Sequence, residues 1–150
     1  MKIKRKATIL YCENIEISRN FYSKVLGFSI EMVFGSVIFY KEGIAIWELK
    51  EGHILNNLIN TGVKDTNVNA FELFYEVEDW EDTLQRLKQW DVEYLHKSLE
   101  EPWGQRTIRI LNPDTNIIEI GETLERFIRR LYDKGKTKEE IARLNEISID

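Results

Sequence analysis

The order of hydrophobic patterns constrains the fold of this chain more than any other feature: a strand, a helix and three strands follow one another, and the series then repeats. In the first copy, an apolar run at residues 7–12 precedes an amphipathic helix that begins after the N-cap candidate Asn14 and ends near Gly27. Three runs rich in β-branched and aromatic residues come next, at residues 28–34, 36–40 and 44–49. The pattern predicts a β-α-β-β-β module over residues 7–50.

The second copy has the same order of elements. A strand pattern at residues 71–77 precedes a helix capped by Asp79, and strand patterns follow at residues 92–95, 106–111 and 117–120. Since few residues are identical between the copies, the order of elements carries the inference of an internal repeat. We therefore predict an α+β fold made of modules 7–50 and 70–121, joined by a long connection.

The chain after Gly121 has a helical pattern. Leu124 and Phe127 begin an apolar stripe, and Thr137 and Glu140 have the spacing of a capping box that opens a second helix. We predict that residues 122–150 form a helical extension of a 1–121 domain. Two short helices are faintly similar to a helix-turn-helix, but the seven basic residues of this tail are balanced by seven acidic ones, which does not favour DNA binding.

Charge and composition argue against several classes of function. The 150 residues include 26 acidic and 21 basic side chains, and the net charge of −5 disfavours nucleic-acid binding. The single cysteine, Cys12, excludes an intramolecular disulfide and a cysteine-rich zinc site, and is ordinary for a reducing compartment. No apolar run approaches the roughly 18 residues of a membrane-spanning helix. We expect a cytoplasmic protein without nucleic-acid or membrane partners.

Two stretches carry a family resemblance, residues 18–28 (SRNFYSKVLGF) and residues 112–120 (NPDTNIIEI). They resemble the first-helix and last-hairpin signatures of the vicinal oxygen chelate superfamily, which includes glyoxalase I, bleomycin-resistance proteins, fosfomycin-resistance enzymes and extradiol dioxygenases. The resemblance implies that each module curls its mixed or antiparallel sheet and that paired sheets form a cup. Thr115 is a departure, because the family usually has glycine there, but Asn112 still suits a turn.

The same resemblance implies where a metal ion would be held. The family's four ligand positions, typically histidine and glutamate, fall on Ala7, Glu48, Glu72 and Glu119. Alanine cannot bind a metal, and the three carboxylates form an oxygen-only set that favours magnesium, calcium or manganese over zinc or nickel. Without a cation these carboxylates would repel one another, so we expect a compensating positive charge.

Arg109 is the candidate for that charge. If the last hairpin is centred on Asp114, Arg109 lies directly opposite Glu119 on the same face of the sheet. Its guanidinium could then replace a metal ion or hold an anionic ligand group in a bidentate contact. The alternative is a salt bridge on a strand surface that faces helices or solvent.

Aromatic side chains give the predicted cup the profile of a small-molecule pocket. Trp103 lies in a loop before the strand of Arg109, and strand alternation places Tyr11 and Phe74 on the cup face. Trp103 could equally pack on the neighbouring module, and the wall could be an ordinary barrel core. We expect His53 and His96 to be surface or packing residues rather than metal ligands.

Two functions remain open from the sequence. In the first, the cup binds a small polar or partly anionic molecule without a histidine-ligated metal, as in the bleomycin-resistance branch. In the second, a glyoxalase I-type lyase or isomerase holds a divalent ion through Glu48, Glu72 and Glu119, with Glu119 as the catalytic group that moves a proton. A cup without a ligand of its own is a third possibility. We expect a homodimer, with a monomer closed by its own tail as the alternative.

Overall fold

The chain forms two compact units, each containing a four-stranded sheet. The computed structural model describes residues 8–52 and 72–145. The first unit comprises Met1–Asn69 and Asn112–Thr115, and the second comprises Ala70–Leu111 and Asn116–Asp150. Ala7, His53 and most of the predicted connection between the modules lie outside the described residues.

The first sheet contains β1 (Thr8–Tyr11), β2 (Ile30–Phe34), β3 (Val37–Tyr40) and β4 (Ile44–Trp47). The strand order is β1-β4-β3-β2, with β1 and β4 parallel and the other pairs antiparallel. This is the order of a β-α-β-β-β module, in which the helix carries the chain from β1 to β2 at the opposite edge and two antiparallel connections then bring β4 beside β1.

Helix α1 (Ile15–Asn20) begins at the predicted cap. The Asn14 side chain accepts hydrogen bonds from the backbone N–H groups of Glu16 and Ile17, each at 3.0 Å. The helix continues as a π-helical segment, Phe21–Val25. It packs against one face of the first sheet, where Tyr22 and Tyr40 are almost fully buried with ring centroids 5.7 Å apart.

The second sheet contains β5 (Glu72–Val77), β6 (Glu93–Glu100), β7 (Arg106–Leu111) and β8 (Ile117–Glu122). Its order, β5-β8-β7-β6, has a parallel β5–β8 pair and antiparallel β8–β7 and β7–β6 pairs. Helix α2 (Trp80–Lys88) follows β5 and is capped by Asp79, which accepts from Asp82 N at 2.9 Å. The predicted α+β fold of two β-α-β-β-β modules is therefore confirmed.

Two strands of the second sheet are longer than predicted. Strand β6 continues to Glu100 rather than ending at residue 95, and β8 continues to Glu122 rather than residue 120. The outer half of β6 is exposed and, apart from Leu99, polar, so it lacks the apolar alternation that marks a strand in sequence. In β8, Gly121 interrupts the apolar run although its backbone stays paired with Thr107.

The two faces of the second sheet have different environments. One face presents four buried isoleucines, which are Ile108, Ile110, Ile118 and Ile120. Arg106 is on this face by strand alternation, and its guanidinium lies 5.4 Å from the ring centroid of Trp80, so α2 covers this side. The opposite face bears Arg109, and we call it the Arg109 face.

The tail forms α3 (Leu124–Asp133) and α4 (Lys138–Asn145), which belong to the second unit. Phe127, Leu131 and Ile141 pack together as a buried cluster. The capping box is confirmed: Thr137 N donates to the Glu140 carboxylate at 2.7 Å, and Glu140 N donates to the Thr137 hydroxyl at 3.2 Å. Among the helices of residues 8–52 and 72–145, none has the length and apolar character needed to span a membrane.

Candidate functional site

Three adjacent strands bring charged and aromatic side chains to the Arg109 face. Arg109 on β7 pairs with Glu119 on β8, and Glu119 pairs with Phe74 on β5. Directly paired residues of neighbouring strands point to the same side of a sheet. The predicted register of Arg109 opposite Glu119 is thus confirmed, and Phe74, which is 48% exposed, lies beside this pair.

The Arg109 guanidinium is surrounded by acceptors. Its Nε donates to Glu72 Oε2 at 2.9 Å, and its Nη2 donates to Glu119 Oε2. Its Nη1 donates to Glu101 Oε1 at 3.1 Å and contacts His96 Nε2 at 3.1 Å. We call these five residues the Arg109 cluster. A guanidinium has five N–H donors, so four of them are engaged within the protein.

The contacts of His96 make its Nε2 a hydrogen-bond acceptor for Arg109. Its Nδ1 lies 2.8 Å from the backbone oxygen of Lys97, a group that only accepts hydrogen bonds. Nδ1 must therefore carry a proton, which leaves the lone pair of Nε2 free to accept from Arg109 Nη1. The expectation of a packing histidine agrees with this placement, although nothing in the sequence indicated its contact with Arg109.

The two carboxylates nearest the arginine differ in their affinity for protons. Burial raises the pKa of Glu119 to about 7, and a hydrogen bond with Glu72 contributes in the same direction, while the positive charge of Arg109 opposes the rise. The hydrogen bond from Arg109 holds the pKa of the more exposed Glu72 below its usual value. Of these two carboxylates, Glu119 is therefore the one that can hold or release a proton at neutral pH.

The cluster has an excess of negative charge. One guanidinium faces three carboxylates, those of Glu72, Glu101 and Glu119. The sum is −2 when all three are ionised and −1 when Glu119 is protonated. An anionic ligand would be repelled by this surplus of negative charge. Arg109 also no longer has two free N–H groups to form a bidentate contact with such a ligand.

The donor set does not fit a divalent metal ion. The guanidinium of Arg109 already contacts the carboxylates of Glu72 and Glu119, the two metal ligands that the family resemblance predicted in the second module. A cation bound by both would have to displace a permanent charge of the same sign. Among residues 8–52 and 72–145, no three histidine, cysteine, aspartate or glutamate side chains are arranged to hold a metal ion.

Glu48, the remaining predicted metal ligand, lies in the first unit and has other partners. Its Oε2 accepts from the backbone N–H of Ile15 at 2.7 Å, and its Oε1 accepts from Lys50 Nζ at 2.8 Å. The hydrogen bonds from Lys50 and Ile15 hold the pKa of Glu48 below its usual value. Glu48 thus stabilises the N-terminus of α1, where a carboxylate is favoured by the helix dipole.

The internal repeat shows which residue of the first module corresponds to Glu119. In the first sheet Ile9 pairs with Ala45, and in the second Phe74 pairs with Glu119. Ile9 and Phe74 both lie five residues before the helix cap of their module. Ala45 is therefore the counterpart of Glu119, and Glu48 lies three residues beyond that position.

The loop between β6 and β7, residues 101–105, supplies Glu101 to the cluster. Glu101 also accepts from the Thr107 hydroxyl at 2.8 Å, and its side chain is 13% exposed. Trp103, predicted at the rim of a pocket, is 37% exposed and donates from Nε1 to Gln105 Oε1 at 3.0 Å. Gln105 in turn donates to the backbone oxygen of Glu122 at 2.7 Å.

A second charged group lies on the opposite face and was not found from the sequence. Glu122 is 2% exposed, and its carboxylate accepts from Arg106 and Arg130 at 2.7 to 3.1 Å. Burial alone would raise the pKa of Glu122, but the hydrogen bonds from Arg130 and Arg106 hold it below its usual value. Extending the β8 pattern by two residues would have placed Glu122 on the buried face.

The remaining predicted residues lie in the first unit. Tyr11 is 45% exposed, and its ring centroid lies 5.8 Å from that of Trp47. Cys12 is buried on the opposite side of β1, and burial raises the pKa of its thiol to about 11, as suits the expected inert cysteine. The structure therefore brings Arg109, Glu72, Glu119 and Phe74 together, while Tyr11 and Glu48 have separate neighbours.

Comparisons with known proteins give a consistent family. A family model described as a glyoxalase-like domain matches residues 5–125. A protein of unknown function from Agrobacterium tumefaciens is 30% identical, with a TM-score of 0.68 over 83% of this chain and 97% of that one. The comparison with curated proteins gives no match.

Two further structures show the same fold at lower identity. A lactoylglutathione lyase from Agrobacterium tumefaciens is 18% identical, with a TM-score of 0.57 over 81% of this chain and 95% of that one. A glyoxalase/bleomycin resistance protein/dioxygenase family enzyme from Burkholderia phytofirmans is 16% identical, with a TM-score of 0.64 over 79% and 98%. At these identities the likeness extends to the fold alone.

Proposed function

Since the chain belongs to the glyoxalase-like domain family of the vicinal oxygen chelate superfamily, we propose that it binds a small molecule on its Arg109 face without a divalent metal ion. The observation that carries this proposal is the position of the Arg109 guanidinium. It contacts Glu72 and Glu119, the ligands that the family resemblance predicted, and so supplies the positive charge that a metal would supply.

The charge of the cluster indicates the class of ligand. Three carboxylates against one guanidinium favour a ligand that brings a positive charge or hydrogen-bond donors, and disfavour a carboxylate or phosphate. The expected partly anionic ligand is accordingly replaced by a neutral or cationic one. Phe74, half exposed beside Glu119, offers an apolar contact or a ring face for a cation.

The metal-dependent lyase or isomerase is the less supported function. It would need Glu119 and Glu72 to exchange Arg109 for a metal ion, and it would need ligands from the first module. There, the counterpart of Glu119 is Ala45, and Glu48 is engaged by Ile15 and Lys50.

The contacts of Tyr11 and Trp103 with a ligand remain proposals.

The proposal can be tested with three probes that share a benzyl or phenyl ring and differ in charge: benzylamine, benzyl alcohol and benzoate. We expect benzylamine, and more weakly benzyl alcohol, to shift the NMR signals of Phe74 and Arg109 saturably. The cationic preference should disappear in Arg109→Met/Glu72→Gln/Glu101→Gln/Glu119→Gln, which removes the guanidinium and all three carboxylates together. Arg129→Met, which changes an exposed arginine of α3, is the matched control.

A metal titration completes this test. Thermal unfolding of the wild-type protein should be unaffected by magnesium, manganese, zinc, nickel or cobalt, because binding to the native state alone would raise the melting temperature with concentration. Stoichiometric metal in the purified protein, lost on Glu119→Gln, would overturn the metal-free proposal. Saturable benzoate shifts at Arg109 without benzylamine shifts would overturn the assignment of ligand charge.

We also propose that the protein is a homodimer. Strand β2 lies at the edge of the first sheet and exposes Met32, Val33 and Phe34, the last at 74%. Exposed apolar edge strands are usually covered by a partner. Sedimentation equilibrium should give a dimer for the wild type and a monomer for Phe34→Ser; a wild-type monomer at micromolar concentration would overturn this assignment.

A further inference from the structure

We propose that Arg130, in the C-terminal tail, is a positioning residue for the Arg109 cluster, because it fixes the loop that delivers Glu101 to Arg109. The inference rests on the proposed function insofar as the cluster is the binding site. It gives the tail a role in the site, although the matched family model ends at residue 125.

The loop that carries Glu101 spans residues 101–105. Glu101 N donates to Gln105 O at 2.8 Å, and Gly104 N donates to Glu101 O at 2.8 Å, so the loop is a closed turn. One end of this turn presents the Glu101 carboxylate to Arg109 Nη1 at 3.1 Å. A movement of the turn would therefore change an acceptor of Arg109 directly.

Arg130 on α3 holds this turn in place. Arg130 Nη2 donates to Gly104 O at 2.5 Å, and Arg130 Nη1 donates to Glu100 Oε2 at 3.0 Å, so one guanidinium holds both sides of the loop. Gly104 has φ +99°, and a Cβ there would lie 2.8 Å from Leu131 Cδ1. Helix α3 thus packs closely against the loop, and the positive φ and the nearby Leu131 side chain both favour glycine at this position.

Arg130 is itself held by the buried carboxylate of Glu122. Its Nε and Nη2 donate to the two carboxylate oxygens of Glu122 at 3.1 and 2.8 Å. Its side chain is 17% exposed, and the fixed fork geometry of a guanidinium aligns the remaining N–H groups with the loop. The connection runs from Glu122 on β8 through Arg130 to the turn, and from Glu101 to Arg109 on the other face.

The test compares Arg130→Met with Arg129→Met in the full chain without ligand. Arg129 is the matched control, since it is the neighbouring arginine of α3, 71% exposed and 3.9 Å from Glu125. We expect Arg130→Met to accelerate hydrogen exchange of the Gly104 amide about tenfold, as the loss of a charge-assisted hydrogen bond predicts. It should also speed rotation of the Arg109 Nη1 group, seen in guanidinium NMR signals.

A double-mutant comparison separates positioning from a merely structural effect. If Arg130 acts through Glu101, Arg130→Met should change the Arg109 signals in the wild-type background and leave them unchanged in a Glu101→Ala background. An effect of equal size in both backgrounds, or faster exchange at Gly104 with unaltered Arg109 signals, would overturn the inference. Loss of global stability alone would not alter the Arg109 signals of the folded protein.

Two further variants keep the test decisive if Arg130→Met does not fold. Arg130→Lys retains a positive charge beside Glu122 but cannot reach Glu122, Glu100 and Gly104 together. Glu100→Gln weakens the loop contact and leaves Glu122 paired. Both variants should accelerate hydrogen exchange of the Gly104 amide and rotation of the Arg109 Nη1 group. If neither variant alters these signals, the inference is overturned. Because no ligand is needed, failure of every benzyl probe to bind would count against the proposed function without affecting this result.

Discussion

Arg109 lies directly across the β7–β8 ladder from Glu119, and its guanidinium donates to that carboxylate and to Glu72 on β5. One side chain thus links three neighbouring strands of the second sheet. Glu119 is buried, so its charge would be costly without this partner. The arginine is therefore expected to stabilise the sheet as well as to set the charge of the proposed binding surface.

Replacing Arg109 should destabilise the protein in a pH-dependent manner. Arg109→Met leaves three carboxylates facing one another, and loss of one partner of a largely buried ion pair costs about 3 kcal/mol. Urea unfolding at pH 7.5 should show this loss, and a smaller loss is expected at pH 5, where Glu119 is protonated. Arg129→Met should change the unfolding free energy by less than about 0.5 kcal/mol. Equal stability of both variants would contradict the stabilising role of Arg109.

The same variant should gain affinity for divalent cations. Without the guanidinium, Glu72, Glu101 and Glu119 form a group of oxygen ligands with an uncompensated charge, which suits manganese, magnesium or calcium. We expect the melting temperature of Arg109→Met to rise with manganese concentration while that of the wild type stays constant. Glu119→Gln added to Arg109→Met should abolish the rise. A rise of the same size in the wild type would mean that the guanidinium does not exclude metal.

Glu119 should make stability fall as pH increases through neutrality. Its pKa rises from 4.5 to about 7 on folding, so between these values the folded protein holds a proton that the unfolded chain releases. The associated stability is present below pH 4.5 and lost as pH approaches 7, on the order of 3 kcal/mol. Charged neighbours that face Glu119 are Glu72, Arg109 and Glu101, with His96 at the edge of the cluster.

The measurement for this prediction is urea unfolding from pH 4.5 to 8 for the wild type and Glu119→Gln. The glutamine stays neutral at every pH. The unfolding free energy of the wild type, relative to that of Glu119→Gln, should therefore fall as pH rises from 4.5 to 7. Glu125→Gln, which alters an exposed glutamate of α3, should run parallel to the wild type. Parallel curves for wild type and Glu119→Gln would show that Glu119 titrates normally in the folded protein.

At neutral pH, replacing Glu122 with glutamine should lower the free energy of unfolding more than the same replacement of Glu119. Glu122→Gln leaves Arg106 and Arg130 without their shared carboxylate, and we expect a loss of about 3 kcal/mol. Since the pKa of Glu122 is lowered on folding, its contribution is present above its unfolded pKa and disappears as pH falls. Thermal unfolding at pH 7 and pH 3 measures both effects; a variant as stable as Glu125→Gln at pH 7 would contradict them.

Much of the fold follows from patterns that are local in the sequence. Apolar, β-branched and aromatic runs located the eight strands of residues 8–52 and 72–145, and the caps Asn14 and Asp79 located the helices that follow β1 and β5. The outer half of β6 was missed because its polar residues are exposed on both faces. A strand of that kind is defined by backbone pairing to β7, which leaves no apolar signal in sequence.

The site was predictable only where a hairpin fixed the register. The turn around Asp114 was sufficient to place Arg109 opposite Glu119, because antiparallel pairing follows from the turn position. Glu101 could not be placed, since its contact depends on the conformation of the loop. His96 lies between two irregularities in the β6–β7 register, so counting along the strand does not predict its contact with Arg109.

The register of the two sheets has a consequence for the number of ligands that each chain can bind. In the first module Phe39 pairs with Ala45, at the positions where the second module pairs Arg109 with Glu119. The repeat therefore has a charged pair in one half and an apolar pair in the other. A chain built from two similar modules is thus expected to saturate at one ligand, and the proposed dimer at two.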